Sequence, residues 1–199
     1  MFYEPRNGHG LPRNPFKALV VPRPIGWIST CALDGKENLA PYSFFNAVSD
    51  DPPVVMFSSG GRKDSARNAE ATGEFVCNLV SANLLQAMNV TSFAHPAEVS
   101  EFEAAGLETA ESRLVKPPRV ALAPAALECV VTQIMAVRDR SGGETGNILV
   151  FGEVVGIHIS EAVMRDGFVD FKSIQPPARL GYMDYATDFT VQTIARPER

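Results

Sequence analysis

The sequence is poor in histidine and cysteine, and this scarcity disfavours several classes of catalytic site. It has three residues of each type in a chain of 199. No HExxH pair and no CxxC pair is present, so neither a zinc protease of that type nor a dithiol centre is predicted. A GxSxG elbow is also absent, which disfavours the corresponding hydrolases. The sequence therefore predicts no metal site and no catalytic acid–base constellation.

The few candidate nucleophiles and bases lie in surroundings that favour structural roles. Cys31, Cys77 and Cys129 occupy apolar, strand-like runs, which suits buried, reduced thiols in a cytoplasmic protein. Cys31 has no histidine near it in the sequence, so a nucleophilic role is the weaker interpretation. His158 alternates with apolar residues and is expected to face solvent or a cavity. Asp50-Asp51 precedes two prolines, and a solvated turn explains it best.

An excess of positive charge and long apolar runs are also lacking. The chain has 18 Lys and Arg against 23 Asp and Glu, a formal net charge of −5. This balance argues against nucleic acids and anionic membranes as partners, because their phosphates attract clustered basic residues. No stretch approaches the roughly 20 apolar residues of a membrane helix, and the N-terminus lacks a secretion-signal pattern. We therefore expect a cytoplasmic protein.

What the sequence does contain is a series of β-rich runs in one domain. Its length of 199 residues suits a single domain, with an N-terminal arm at 1–22 and a C-terminal tail at 178–199. The runs form hairpins, one of which turns at Asp34-Gly35. This order favours a closed or nearly closed antiparallel barrel with inserted helices over a doubly wound parallel sheet. We predict strands at Ile25–Leu33, Leu39–Tyr42, Val54–Ser58, Phe75–Leu79, Ala126–Val137 and Asn147–Ile159, and helices at Ala66–Thr72, Ser81–Ser92 and Val99–Gly106.

A candidate anion site lies between the third predicted strand and the first helix. Gly60-Gly61 precedes two adjacent cations, Arg62 and Lys63, and either Asp64 or Ser65 is placed to cap the helix. Helix starts attract anions through their free N–H groups and the helix dipole. Two solvated surface cations are the alternative, and the spacing is not that of a Walker loop. The glycines and the cap favour the anion site.

Small hydroxyl side chains are interleaved with aromatic ones around this segment. Strict alternation places neighbouring residues on opposite faces of a strand, so Ser29 and Thr30 both touch one ligand only near a strand end or a bulge. The amide of Asn46 has donors and acceptors that match the polar edge of a flavin or nicotinamide ring. Taken singly, the aromatic residues are also ordinary core residues. Together they predict a cradle for a phosphorylated, planar, aromatic ligand. The hydroxyls are Ser29, Thr30, Ser43, Ser58 and Ser65, and the aromatic residues are Trp27, Phe44 and Phe45.

Long blocks of the sequence resemble one known family. The blocks are Arg23–Thr30 (RPIGWIST), Asp34–Lys36, Asn38–Val48 (NLAPYSFFNAV), Asp51–Val54 and Arg62–Ser65 (RKDS), followed by Gly152–Val155 and Arg179–Gly181. Over about residues 16–185 the chain resembles the flavin reductase-like, flavoredoxin-type family. Many relatives have threonine at the position of Ser65, and many have a glycine at the position of Tyr182.

The resemblance implies a fold and a set of binding residues. The implied fold is an FMN-binding split β-barrel, antiparallel and Greek-key-like, that works as a homodimer with the flavin near the subunit interface. By position, Ser29 and Thr30 would line the phosphate and ribityl side, the Ser43–Asn46 segment would lie along the isoalloxazine ring, and Arg62, Lys63 and Ser65 would hold the phosphate.

The resemblance also implies a type of reaction. NADH or NADPH would reduce the FMN, which would pass electrons to free flavin or to another acceptor, such as a monooxygenase or redox-protein partner. A flavin supplies its own redox chemistry, which agrees with the lack of an acid–base constellation. Two alternatives share the same barrel. One is an electron carrier that a protein partner reduces, and the other is an FMN-binding module without redox activity.

Overall fold

The structure is a computed structural model that describes residues 1–93, 95, 99–188 and 190–197. The main sheet contains β1 (Gly26–Cys31), β2 (Glu37–Tyr42), β3 (Phe45–Asp50), β4 (Pro53–Gly60), β5 (Glu74–Asn78), β8 (Ala125–Arg138) and β9 (Glu144–Ile159). The helices are α1 (Phe16–Leu19), α2 (Asp64–Thr72), α3 (Leu85–Val90), α4 (Glu101–Ala104) and α5 (Phe171–Ile174). Short pairs complete the chain: β6 (Thr109–Ala110) with β7 (Arg119–Val120), β10 (Met164–Arg165) with β11 (Phe168–Val169), and β12 (Ala178–Arg179) with β13 (Tyr185–Ala186).

The main sheet is antiparallel throughout and curls back towards its own edge. Its strand order is β2-β1-β5-β8-β9-β4-β3, and each neighbouring pair is antiparallel. Strands β2 and β3 lie at opposite edges, yet only Ser43 and Phe44 separate them in the chain. A two-residue link cannot cross an open seven-stranded sheet, so the two edges come together there. This geometry confirms the predicted mainly antiparallel β fold.

The two larger apolar clusters of the described residues lie on opposite sides of β1, and a smaller one contains Val76, Val115 and Ala126. Because successive residues of a strand point to opposite faces, all six residues of β1 are buried. Ile28 packs on one side with Phe57 and Phe75, whose ring centroids lie 5.4 Å apart in an edge-on arrangement. Trp27 packs on the other side in a cluster that includes Met88 of α3. Both larger clusters therefore depend on the alternation within one strand.

Some element bounds differ from those that the sequence pattern predicts. Strand β3 is not predicted, because residues 46–50 are exposed and show no apolar alternation. The helix predicted over Ser81–Ser92 is a 3-10 turn at Ala82–Leu84 followed by α3. The helix predicted over Val99–Gly106 is limited to the single turn of α4. None of the helices in the described ranges is long and apolar enough to cross a membrane.

The N-terminal arm and the C-terminal tail pack against each other. Arg23 and Arg179 form an antiparallel bridge outside the main sheet, with backbone N···O distances of 3.0 and 2.9 Å. Gly181 lies so close to α1 that a Cβ added to it would approach the Cα of Ala18 to 2.7 Å. The two chain ends therefore form one layer beside the barrel, which we call the arm–tail layer (residues 16–25 and 178–186).

Candidate functional site

The start of α2 presents free backbone donors at the end of β4. Gly61 has φ of +89°, a left-handed conformation that glycine adopts at little cost, and it turns the chain from the strand towards the helix. Lys63 is the N-cap residue with an extended backbone, and no side chain caps the helix. The first N–H groups of α2 therefore lack an intrahelical acceptor and a side-chain cap, as an anion site requires.

The expected side-chain cap is the one feature of this turn that the structure contradicts. Asp64 and Ser65 lie inside the helix instead of before it. The Asp64 carboxylate pairs with Arg67 one turn later, and the Ser65 hydroxyl is turned towards β2, where it accepts a hydrogen bond from Asn38. Because both side chains have other partners, the helix start remains open.

The two adjacent cations differ in their surroundings. Arg62 contacts the carboxylate of Glu70, two turns into α2, and both side chains are largely exposed. Among the residues that the structure describes, Lys63 takes part in no ion pair. The ammonium of Lys63 is therefore the less compensated charge beside the open helix start.

A buried polar network joins the helix start to the barrel. Asn38 Nδ2 donates to Ser65 Oγ at 2.9 Å and to Thr30 Oγ1 at 3.3 Å. Asn68 Nδ2 donates to the same Thr30 oxygen at 3.2 Å. All four side chains are less than one-tenth exposed. Because Thr30 and Ser65 accept these bonds, their hydroxyl protons are left to donate elsewhere.

Tyr42 extends this network towards the aromatic core. Burial raises the pKa of the Tyr42 phenol, and hydrogen bonds to Ser65 and Ser59 oppose part of that rise. The ring of Tyr42 lies 4.8 Å from that of Phe57. A phenol with a raised pKa stays protonated at neutral pH, so Tyr42 serves as a neutral hydrogen-bonding group in this network.

Two of the predicted site residues lie on the opposite face of β1, within the core. Trp27 Nε1 donates to Thr91 Oγ1 at 2.9 Å. Ser29 Oγ donates to the carbonyl of Pro118 at 2.5 Å and accepts from Asn78 at 3.3 Å. Both are fully buried. The structure therefore brings Thr30 and Ser65 together but not Ser29 or Trp27 with them.

The predicted ring-binding segment forms the link between the two sheet edges. The carbonyl of Phe44 accepts from the backbone N–H of Ser58 at 2.8 Å, so these two predicted site residues are adjacent. The ring of Phe45 occupies the space beside Gly26, where an added Cβ would come within 2.4 Å of it. Asn46 is exposed, and its Oδ1 accepts from the N–H of Ala47. Ser43 lines a separate cavity under the tail.

The sequence analysis missed the buried arginine of the arm–tail layer. Arg23 is 7% exposed, and its guanidinium donates to the carbonyls of Lys17 and Val20 at 2.5 Å and of Leu180 at 2.7 Å. Its Cζ lies 5.9 Å from the ring centroid of Phe44. Burial lowers the pKa of Arg23, and Arg179 lowers it further. Since Leu180 lies 157 residues away in sequence, no local pattern reveals this arrangement.

A second missed residue, Glu128, has a structural role. Its fully buried carboxylate contacts His158 Nε2 and accepts from the backbone N–H groups of Arg113, Leu114 and Val115. Burial raises the pKa of Glu128, but these hydrogen bonds outweigh it and bring the pKa below its usual value. The pair therefore fixes the loop at 113–115 against β8 and β9.

The cysteines are buried and free, as the sequence predicts. Burial raises the pKa of Cys31, and it raises that of Cys77 to about 12. Such thiols remain protonated and are poor nucleophiles. Within the described part of the chain, no group of three or more His, Cys, Asp or Glu is placed to hold a metal ion.

Comparison with known proteins identifies the family. The model of the "Flavin reductase like domain" matches residues 18–180. The chain belongs to the flavin reductase-like family. A relative from Aquifex aeolicus (strain VF5), which is itself named only as an uncharacterized protein, is 40% identical over 177 residues, which are 86% of this chain and 87% of the relative.

Solved structures support the same assignment. Component B of nitrilotriacetate monooxygenase from Bacillus cereus is 29% identical, with a TM-score of 0.86 and 98% of each chain covered. A chain from Shewanella frigidimarina NCIMB 400, described as having a split barrel domain, has a TM-score of 0.81 at 22% identity over 92% of this chain and 90% of that one. The predicted family and the split-barrel fold are thereby confirmed, and the family supports an oxidoreductase function that involves a flavin.

Proposed function

We propose that this flavin reductase-like protein binds FMN at the start of α2 and transfers electrons from NADH or NADPH, through the bound FMN, to free flavin or another acceptor. The observation that carries the proposal is the uncapped helix start beside Lys63. Backbone N–H groups and a nearby ammonium are suitable donors for a terminal phosphate. The donor set present in this chain therefore fits the phosphate of FMN.

The other predicted residues take definite roles in this proposal. Thr30 and Ser65 direct hydroxyl donors towards the ribityl and phosphate side, and Asn38 with Asn68 positions them. The Ser43–Asn46 segment and Ser58 lie along the ring, and Arg62 strengthens the positive field near the phosphate. Trp27 and Ser29 point to the other face of β1, where they bond to Thr91 and to Pro118, so their proposed role is to hold β1 in place. FMN, when bound, would supply the electron-transfer chemistry.

The proposal includes a homodimer with the flavin near the interface. Val155, Ile157 and Ile159 alternate along β9 and are at least 38% exposed. An exposed apolar row on a long strand favours a protein contact, and a second copy of the chain is the proposed occupant. Sedimentation equilibrium should give twice the monomer mass, and Ile157→Lys should shift it towards the monomer. A wild-type monomer at micromolar concentration would contradict the dimer.

The reaction is tested by mixing the FMN-loaded protein with NADH or NADPH under anaerobic conditions. We expect the flavin absorbance to bleach in a stopped-flow experiment. Bleaching only by a reduced protein partner would assign the carrier function instead. A protein that binds no FMN in a fluorescence titration would contradict the proposal as a whole.

The name of the Bacillus cereus neighbour supports a further partner. A component of a monooxygenase is by its name one part of a larger system. We propose by this similarity that the acceptor includes a monooxygenase or another redox protein. The test of this acceptor is to add the reduced protein to such a partner and to measure the partner's turnover. Turnover that depends on the reduced protein supports the proposal.

A further inference from the structure

A cavity of about 480 Å³ lies between the tail and α3, within the size range of small-molecule sites. We call it the tail pocket. Its wall combines apolar side chains, among them Ile25 and Met88, with the amide side chains of Gln86 and Asn89. Ser43 also lines it and directly precedes the segment proposed to lie along the flavin. The pocket therefore adjoins the proposed flavin site without including the helix start that would hold the phosphate.

Arg179 supplies a fixed cation at the edge of this pocket. Its Cζ lies 4.4 Å from the ring centroid of Tyr185, and Nη2 donates to the carbonyl of Tyr182 at 2.7 Å. Tyr182 lies in the turn that joins β12 to β13, and Tyr185 is the first residue of β13, so these two contacts hold the guanidinium in one orientation. Among the described residues no carboxylate pairs with Arg179. Its remaining N–H groups are therefore available to an anion.

The charges around Arg179 increase the preference for an anion. Arg23 is buried next to it and is bonded to carbonyl groups only. The two guanidiniums repel each other, and this proximity contributes to the lowered pKa of Arg23. A ligand with a phosphate would compensate this local excess of positive charge. The apolar wall suits a planar ring, and the two amides match a ring edge that carries an amide.

We propose that the tail pocket binds the second reactant of the flavin, a planar ring with an amide edge and a phosphate, and that Arg179 recognises the phosphate. This inference rests on the proposed flavin-dependent function and adds the place of the second reactant to it. A nicotinamide nucleotide and a second, freely exchanging flavin phosphate both have this chemistry. The experiment distinguishes these two sources.

The test is calorimetric titration of the FMN-supplemented protein with oxidised nicotinamide mononucleotide and with nicotinamide riboside, which lacks the phosphate. We expect Arg179→Gln to weaken mononucleotide binding at least tenfold and to change riboside binding less than twofold. Arg13→Gln is the matched control, because Arg13 lies over the ring of the neighbouring Tyr182 at 5.8 Å but does not line the pocket. It should change neither dissociation constant more than twofold.

Competition identifies the source of the phosphate. Excess FMN that displaces the mononucleotide, where riboflavin does not, supports a site shared by both nucleotides. Failure of FMN to displace it supports the nicotinamide nucleotide alone. If the mononucleotide does not bind, a second equivalent of FMN whose binding depends on Arg179 supports the flavin. The inference is overturned if neither phosphate-bearing ligand binds the wild type, or if Arg179→Gln and Arg13→Gln have equal effects.

A second variant guards against misfolding of Arg179→Gln. Asn89→Asp removes one of the two amides that face the proposed ring edge, so it should weaken the binding of the mononucleotide and of the riboside by similar factors of about tenfold. The resident FMN is titrated in the same proteins by fluorescence. If the wild type binds the mononucleotide but no FMN, the proposed function is refuted, whereas the assignment of a nucleotide site to the tail pocket is supported. An Arg179→Gln variant that loses resident FMN would assign Arg179 to the resident flavin and overturn the inference.

Discussion

The α2 start and the arm–tail layer both concentrate positive charge, but they do so in different ways. At the α2 start, Arg62 and Lys63 are sequence neighbours, exposed, and placed beside backbone donors that no side chain caps. In the arm–tail layer, Arg23 is buried and bonded to three carbonyls from two distant segments. The first arrangement leaves hydrogen-bonding capacity for a ligand, whereas the second uses it to join the chain ends. We therefore expect mutations in the first region to change binding and mutations in the second to change stability.

The largest effect is expected from Arg23→Met. The variant leaves three carbonyl acceptors without their charged donor, and hydrogen bonds to charged groups contribute about 1.5–3 kcal/mol each to stability. We expect the free energy of unfolding to fall by about 3 kcal/mol in urea titrations. The control Arg13→Met removes an exposed arginine of the same arm and should cost less than about 0.5 kcal/mol. If Arg23→Met and Arg13→Met lower the free energy of unfolding equally, the proposed stabilising role of the arm–tail layer is wrong.

Lys63→Ala should affect binding and leave stability nearly unchanged. A charge-assisted contact to phosphate contributes about 1.5–3 kcal/mol, so the dissociation constant of FMN should rise about tenfold or more. Lys172→Ala is the control, because Lys172 is an exposed lysine of α5 and the cavity that it lines contains no residue of α2. Equal dissociation constants for the two variants in a fluorescence titration would argue against the site.

Arg62→Ala should have a smaller effect than Lys63→Ala. The Arg62 guanidinium already contacts Glu70 on the surface, and such exposed pairs contribute about 0–1 kcal/mol. We expect FMN affinity to fall by at most about 1 kcal/mol. Glu70→Gln, which releases Arg62, should raise the affinity slightly. A greater loss in Arg62→Ala than in Lys63→Ala would reverse the assignment of the two cations.

The smallest effect is expected at Tyr182, a position where the family resemblance implies a glycine in many relatives. Tyr182 has φ of +56°, in the left-handed region that costs a non-glycine residue about 1 kcal/mol. Tyr182→Gly should raise the free energy of unfolding by up to about 1 kcal/mol, because the greater freedom of the unfolded chain offsets part of the relief. Met183→Gly is the control. It also increases the conformational freedom of the unfolded chain, but Met183 has no positive φ whose strain a glycine would remove, so this variant should not stabilise the protein. Destabilisation by Tyr182→Gly in chemical denaturation would contradict this reasoning.

The sequence predicts what depends on residues that are close together in the chain. The strands at Leu39–Tyr42 and Val54–Ser58 and the long β8–β9 hairpin follow from apolar runs and glycine-rich turns. The adjacent cations Arg62 and Lys63 mark the α2 start for the same reason. Strand β3 was missed, because its exposed residues carry no apolar pattern and its pairing with β4 is what makes it a strand.

The parts that the sequence does not predict are assembled from distant segments. No local sequence pattern distinguishes Asn38 and Asn68 from other polar residues. In the folded chain both donate to the hydroxyl oxygen of Thr30. From the sequence, Glu128 is only a carboxylate on a predicted strand. Its role becomes visible in the fold, where the backbone N–H groups of the loop at 113–115 donate to it. The predicted cap failed for a related reason, since tertiary contacts with Asn38 hold the Ser65 hydroxyl elsewhere. In each case the deciding contact lies beyond the reach of local patterns.

The central claim is that a phosphate lies at the start of α2, and a double comparison tests it most directly. The dissociation constants of FMN and riboflavin, which differ only in the phosphate, are measured for the wild type and for Lys63→Ala. We predict that the variant loses about tenfold or more in FMN affinity and less than twofold in riboflavin affinity. Equal losses for both flavins, or no loss for either, would contradict the account.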